Sequence, residues 1–189
     1  MHKTAAFGII LALILTALPA QGTVMIYLNT KDLTERSQVV VQGKVLKQQV
    51  LSLHGRLWTD SHVRVTSSIK GYLTSGQILV LRQPGGETRT EGLRVAGAAA
   101  FKPGEEVLVF ARPVGSAFVP VGMALGKYNI YKDANKIRRV RRDLKGLAFA
   151  GFDARGKMSV DHAHGSSDLP LAHLVSMIHS HLKQAGGGR

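Results

Sequence analysis

Residues 103–111 read PGEEVLVFA. Pro103-Gly104 is a turn signal, and Glu105-Glu106 reads as the polar chemistry of that turn. Val107 to Ala111 follows as an uninterrupted apolar run. A run this short, bounded by a turn, indicates a buried strand. Its neighbours extend the pattern in both directions. Downstream, Phe118 to Val121 and Lys127 to Tyr131 have strand composition. Upstream, Leu93 to Val95 is a short strand, and Ile78 to Arg82 alternates before the turn Pro84-Gly85-Gly86. Leu57 to Ile69 alternates in its second half, with Val63 and Val65 on one side and His62, Arg64 and Thr66 on the other. Lys70-Gly71 closes that strand. Val39 starts a β-branched run to Leu46, and Gly43 inside it signals a bulge or a close backbone approach. Val24, Ile26 and Leu28 form a first strand. Short strands at regular spacing with Gly and Pro between them indicate a barrel or a sandwich.

Two helices complete the pattern. Asn29 or Thr30 can cap a short helix through Glu35 or Arg36, with Leu33 inward. Near the C-terminus, Leu171, Leu174, Val175, Ile178 and Leu182 recur at helical spacing, with Pro170 in the first turn and Gly186-Gly187-Gly188 after the end. Between these lies a polar, basic third with weak strand signals at Leu147–Phe149 and Met158–Val160. The organisation expected is residues 1–22, a β-barrel domain over 23–132, and a basic extension over 133–189 whose helix packs on the barrel.

The first 22 residues read as an export signal. Lys3 gives a basic start, Ala5 to Leu18 is an apolar stretch of fourteen residues, and LPAQG offers cleavage after Ala20 or Gly22. Fourteen residues is short against the roughly 20 that span a bilayer. The expected location is therefore the periplasm, cell envelope or extracellular space. The 189-residue chain has 25 basic and 12 acidic residues, a net charge of +13. Losing the signal removes Lys3 and no acid, leaving 24 basic against 12 acidic residues, +12. That surplus favours polyanionic partners. The absence of cysteine rules out disulfides, CxxC chemistry and thiolate zinc sites.

The ordered series Ser37 with VVVQGKV (39–45), WTDSHVRVTSSIKG (58–71), PGG (84–86), VAGAAAFKPGEEVLVF (95–110) and VGMALGK (121–127) resembles a family of exported bacterial proteins of unknown function. The resemblance covers roughly residues 23–132. More distantly, the order of strand, Lys-Gly, strand, Gly turn and apolar strand is similar to netrin-like domains, the class of the tissue inhibitors of metalloproteinases. Those are OB-like barrels, five-stranded Greek keys with helices outside. The resemblance implies a mainly β fold with an OB-like antiparallel barrel, and a binding module rather than a catalyst. The animal inhibitors chelate a protease zinc through an N-terminal cysteine, which this chain lacks, so that mechanism does not carry over.

The foremost candidate site is residues 136–146, KIRRVRRDLKG. Lys136, Arg138, Arg139, Arg141, Arg142 and Lys145 are its cations. As a helix, Ile137, Val140 and Leu144 would make an apolar stripe flanked by Arg, the pattern of a membrane-surface or polyanion-binding helix. As a strand, Ile137 would point opposite to Val140. The plain alternative is a solvated face that keeps the protein soluble. No aromatic interleaves the run, so the stacking platform for single-stranded nucleic acid is missing. Export also separates the protein from its own cell's DNA. The expected partner is an anionic envelope component, lipid or polysaccharide, or else a secreted protein.

The second candidate is His162 and His164, after Asp161. On a strand, i and i+2 share a face, so two imidazoles could reach one zinc or copper ion. His173 or His181, eight residues apart on the helix, could supply a third ligand, whereas His179 and His181 do not share a helix face. The alternative is an exposed His-rich segment. No G-x-S-x-G elbow, phosphate-binding glycine loop or HExxH motif occurs, and no catalytic residue or cofactor is assigned. Trp58 with Arg64 is a candidate contact on an open strand face, or Trp58 fills the barrel mouth.

Overall fold

The run 107–111 is fully buried in the computed structural model of the chain, which describes residues 23–145, 147–152, 158–161 and 168–186. It lies in a strand over Glu106–Val114 whose two faces serve two different cores. Val107, Val109 and Ala111 join one apolar cluster, and Leu108 and Phe110 the other. That is why the sequence shows continuous apolar residues here instead of alternation.

Among the described residues the fold is mainly β, with two helices. In chain order the elements are β1 (Thr23–Ile26), α1 (Thr30–Arg36), β2 (Val39–Leu53), β3 (Arg56–Lys70), β4 (Ile78–Pro84), β5 (Gly86–Glu87), β6 (Gly92–Leu93), β7 (Glu106–Val114), β8 (Ala117–Pro120), a 3-10 turn (Met123–Gly126), β9 (Lys127–Lys132), β10 (Arg138–Arg141), β11 (Leu147–Phe152), β12 (Met158–Asp161), β13 (Leu169–Pro170) and α2 (Leu171–Gly186). Most of the strands expected from sequence are present. Residues 1–22 lie outside the described residues. Among the described residues no helix is long and apolar enough to cross a membrane.

Eight strands form one sheet in the order β13-β10-β9-β7-β2-β3-β4-β8. β7 organises it. One edge of β7 pairs with β2 from Ala111 to Glu106. The other edge is shared: its first half pairs with β9, and its second half forms a hairpin with β8. β8 also meets β4 in a parallel contact at Leu81 and Phe118. The sheet therefore extends outward through β9, β10 and β13 and curls back through β8. The cluster of Val39, Val41, Val45, Val63, Val65, Leu79, Leu81, Val107 and Val109 lies inside the curl. A separate sheet, β1-β11-β12, begins with a parallel pair, and β5-β6 is a small ribbon.

β2 runs on past the Leu46 expected from its apolar run, while β3 matches the expected strand to within one residue at each end. Their turn, His54-Gly55, has positive φ at both positions, 52° and 71°, the two-residue turn that matches strand twist. Beyond Val45 the β2 side chains are mostly exposed, so the outer half leaves no hydrophobic pattern. Gly43 shows both features that a strand glycine signals. The β2–β3 register shifts between Gln42 and Gly43, and a Cβ at Gly43 would stand 2.6 Å from the Arg64 carbonyl oxygen.

The helices cover one part of the outer face of the sheet, around Val40, Leu108, Phe110 and Val140. α1 starts in a capping box: the Asn29 side chain accepts from the Asp32 N–H, and the Asp32 carboxylate accepts from the Asn29 N–H. Lys70 closes its other end, donating to the carbonyls of Thr34 and Ser37 at 2.6 Å each. Burial lowers the pKa of that ammonium, partly offset by Glu35. α2 buries Leu171, Leu174 and Ile178, with Val175 and Leu182 alongside, against a cluster that includes Leu33, Val40, Leu108, Phe110, Val140 and Phe149. Residues on either side of position 132 thus share one core.

Candidate functional site

The middle of the basic run, Arg138–Arg141, is the strand β10. Asp133 makes the turn that sets it, its carboxylate accepting from the N–H groups of Asn135 and Ile137 at 2.9 Å each. Lys136 takes a positive φ of 62° in this turn, and β10 then pairs antiparallel with β9. Ile137 is 50% exposed and Val140 is fully buried, so the two point to opposite faces and no apolar stripe forms.

Alternation separates the cations. Arg138 shares the face of Val140 and reaches Glu106, Nη2 to Oε2 at 2.9 Å. Arg139 faces the other way and is held by acids, Nε to Asp168 Oδ1 at 2.8 Å, with Asp133 at 3.9 Å. The Tyr131 hydroxyl also donates to Asp168. Those two donors hold the Asp168 carboxyl below its usual range, the tyrosine bond contributing most, and the same bond raises the Tyr131 pKa. The Arg141 guanidinium lies 5.3 Å from the Tyr131 ring centroid. Lys136 and Lys145 are exposed.

Arg142 departs from the surface role expected of it. It is 3% exposed, its guanidinium 4.8 Å from the Tyr128 ring and 5.5 Å from the Tyr27 ring. A side chain enclosed in this way cannot touch an external polymer. The cause is its position just past the strand end, where the chain turns inward toward Leu144, itself buried.

The outer sheet face adds Lys44 and Lys132, which were not singled out in the sequence, to Arg64, read there as a contact with Trp58, and Arg138 of the basic run. Strand register places Arg64 of β3 opposite Lys44 of β2, and Lys44 opposite Glu106 of β7. Arg138 binds the far side of Glu106, and Lys132 lies opposite Arg138. All five share the outer face, being in step with Val40, Leu108, Ile130 and Val140 of the helix-covered core. Arg64, Lys44, Lys132 and Arg138 are exposed, giving a stripe of four cations and one carboxylate. Leu46 and Ile78, 38% and 45% exposed, lie beside it, Ile78 directly opposite Arg64. The cue in sequence was the polar half of each strand's alternation, Gln42-x-Lys44 and His62-x-Arg64-x-Thr66.

Lys127 is a buried cation of another kind. Its ammonium is 4.8 Å from the Phe101 ring and donates to the Ala100 carbonyl and to Glu105, the latter at 2.9 Å. Burial lowers its pKa, and Glu105 opposes that shift. The contact ties the 94–105 loop to β9. Glu105 also accepts from the Lys102 N–H, so the turn role read for it is joined by an ion pair.

His162 and His164 lie outside the described residues. Among the described residues no group of three His, Asp or Glu side chains is placed to hold a metal. His173 and His181 are on α2. Trp58 is half-buried on the outer part of the hairpin, opposite Leu51 and Pro84, and belongs to neither core cluster. No known family, no characterised protein and no solved structure matches the chain.

Proposed function

We propose that this protein is an exported, non-enzymatic binding module of the cell envelope that holds an anionic surface, lipid or polysaccharide, against the outer face of its large sheet. The observation that carries the reading is the group Arg64, Lys44, Arg138 and Lys132 on this face, with Glu106 as the carboxylate among them. Lys136 lies in the adjoining turn. The exposed aliphatics Leu46 and Ile78 suit the headgroup boundary of a lipid layer. Export rests on residues 1–22.

The scaffold in this reading is an OB-like barrel. Support comes from the pairings β2–β3, β3–β4, β4–β8, β8–β7 and β7–β2, which return to their starting strand. The same ring supports the second reading, a netrin-like modulator of a secreted protease, which requires a salt-resistant protein complex.

A cation near an anionic membrane contributes about 1 kcal/mol. Replacing Lys44, Arg64, Lys132 and Arg138 by Gln together should therefore cost about 4 kcal/mol, roughly three powers of ten in affinity. The test is flotation with vesicles of phosphatidylglycerol and phosphatidylcholine. Wild-type partitioning with loss in the quadruple variant supports the reading. Equal partitioning of both proteins ends it.

A further inference from the structure

The buried cation of the basic run, Arg142, points to a site of its own. Arg142 lines a cleft of about 480 Å³ between the start of α1, β9 and the middle of α2. Its guanidinium carries five N–H donors and stays charged at any pH a protein survives. Its protein bonds are few and long: Nη1 to the Leu28 carbonyl at 3.4 Å and Nη2 to the Tyr27 hydroxyl at 3.3 Å. Nε is buried with no partner. Among the described residues no carboxylate lies within ion-pair distance of it. The two tyrosine rings offset part of the cost of burying this charge, but a buried cation without a counter-charge is an expensive arrangement. A second unpartnered nitrogen belongs to a residue of the same cleft. His181 of α2 lines it, and its Nδ1 is also buried and unpartnered. Lys31, exposed, stands at the rim. Leu169, Met177 and the ring of Tyr128 give the cleft an apolar side, and Asn29 and Thr30 at the start of α1 complete its lining.

We propose that this cleft is a binding site for a small organic oxyanion, a carboxylate or phosphate ester on an apolar body. The oxyanion would take the free Nε–H of Arg142 together with a second guanidinium N–H, the geometry in which Arg holds planar or tetrahedral oxyanions. His181 would donate from the opposite wall. The apolar body would lie against Met177, Leu169 and the tyrosine ring. This site is separate from the cationic stripe, and its ligand is a molecule small enough to be enclosed.

The test is calorimetric titration of the purified protein with benzoate and with phenyl phosphate, at fixed ionic strength, beside the neutral benzamide. Saturable binding of at least one anion, with benzamide at least about tenfold weaker, is expected from the loss of hydrogen bonds to a charged group. Whichever anion binds identifies the head group. Arg142→Gln should weaken that binding by at least about tenfold for the same reason. Lys31→Glu and His181→Ala, at an exposed rim and a half-exposed helix position, test the site should the Arg142 variant fail to fold, and each should also weaken it. The proposal is overturned if neither anion binds beyond a chloride control. It is also overturned if benzamide binds as well as benzoate, or if Lys31→Glu and His181→Ala both leave the anion's Kd unchanged.

Discussion

Gly43→Ala sets two physical effects against each other. Glycine in a strand interior is ordinarily a weakness, and replacing it gains about 0.4–1 kcal/mol by restricting the unfolded chain. At this position the added methyl would stand 2.5 Å from Val63 Cγ1 and 2.6 Å from the Arg64 carbonyl oxygen. The valine methyl could yield by a rotamer change. The carbonyl belongs to β3 and yields only if the strand moves. Overpacking of this kind costs about 1–3 kcal/mol. Because the carbonyl yields only with its strand, the steric cost falls in the upper part of that range, about 2–3 kcal/mol, and wins by about 1–2 kcal/mol after the entropic gain. For a chain of this size that is roughly 2–8 °C in Tm, at about 2–4 °C per kcal/mol. Gly92→Ala is the control, because its Cβ would meet only Glu87 Cγ, at 3.8 Å. Thermal unfolding followed by circular dichroism measures both. A Gly43→Ala protein as stable as wild type, or more stable, would refute the close approach of β2 and β3 and the bend that depends on it.

Leu33→Ala empties a fully buried position between α1 and the core that α2 covers, and should cost about 2–5 kcal/mol in urea unfolding. Lys127→Met leaves the Ala100 carbonyl and Glu105 without their donor, and should cost about 1–3 kcal/mol at neutral pH. Because burial lowers the folded pKa of Lys127, the native state releases this proton before the unfolded chain does. Wild-type stability should therefore gain from this group as pH rises from that lowered value toward 10.5, and the Met variant should lack that gain. Asp168 behaves in the opposite sense. Its folded pKa is depressed by Tyr131 and Arg139, so the stability it contributes is present above 3.8 and is lost as pH falls through the folded value. Asp168→Asn should flatten the acid side of the stability curve, measured as urea midpoints at neutral and acid pH, with little change in its slope near neutrality.

Most of the strands were legible because they alternate or, as in 107–111, bury both faces. The capped helix at Asn29 and the amphipathic helix after Pro170 were legible for similar local reasons. What was not legible depends on register. The outer half of β2, past Leu46, has polar side chains on both faces, so only the turn that follows it could have announced it. The basic run was ambiguous between helix and strand because nothing within it shows that β9 lies alongside. Its six cations look alike in sequence. Their different surroundings come from residues far along the chain: Glu106 beside Arg138, Asp168 beside Arg139, and Tyr27 and Tyr128 around Arg142. The stripe of Arg64, Lys44, Lys132 and Arg138 was hidden for the same reason, since only strand pairing makes neighbours of four residues spread over more than seventy positions.

The most direct measurement is the affinity of the wild-type protein for anionic and for neutral vesicles over a range of salt concentrations. A contact made by the cationic stripe should be strong on phosphatidylglycerol and absent on phosphatidylcholine. It should also fall steeply between about 50 and 150 mM salt as the Debye length shortens to about 8 Å. Binding that is indifferent to both lipid charge and salt would contradict it. So would absence of vesicle binding alongside a single envelope protein that stays bound at high salt, and that result would favour the protease-modulator reading.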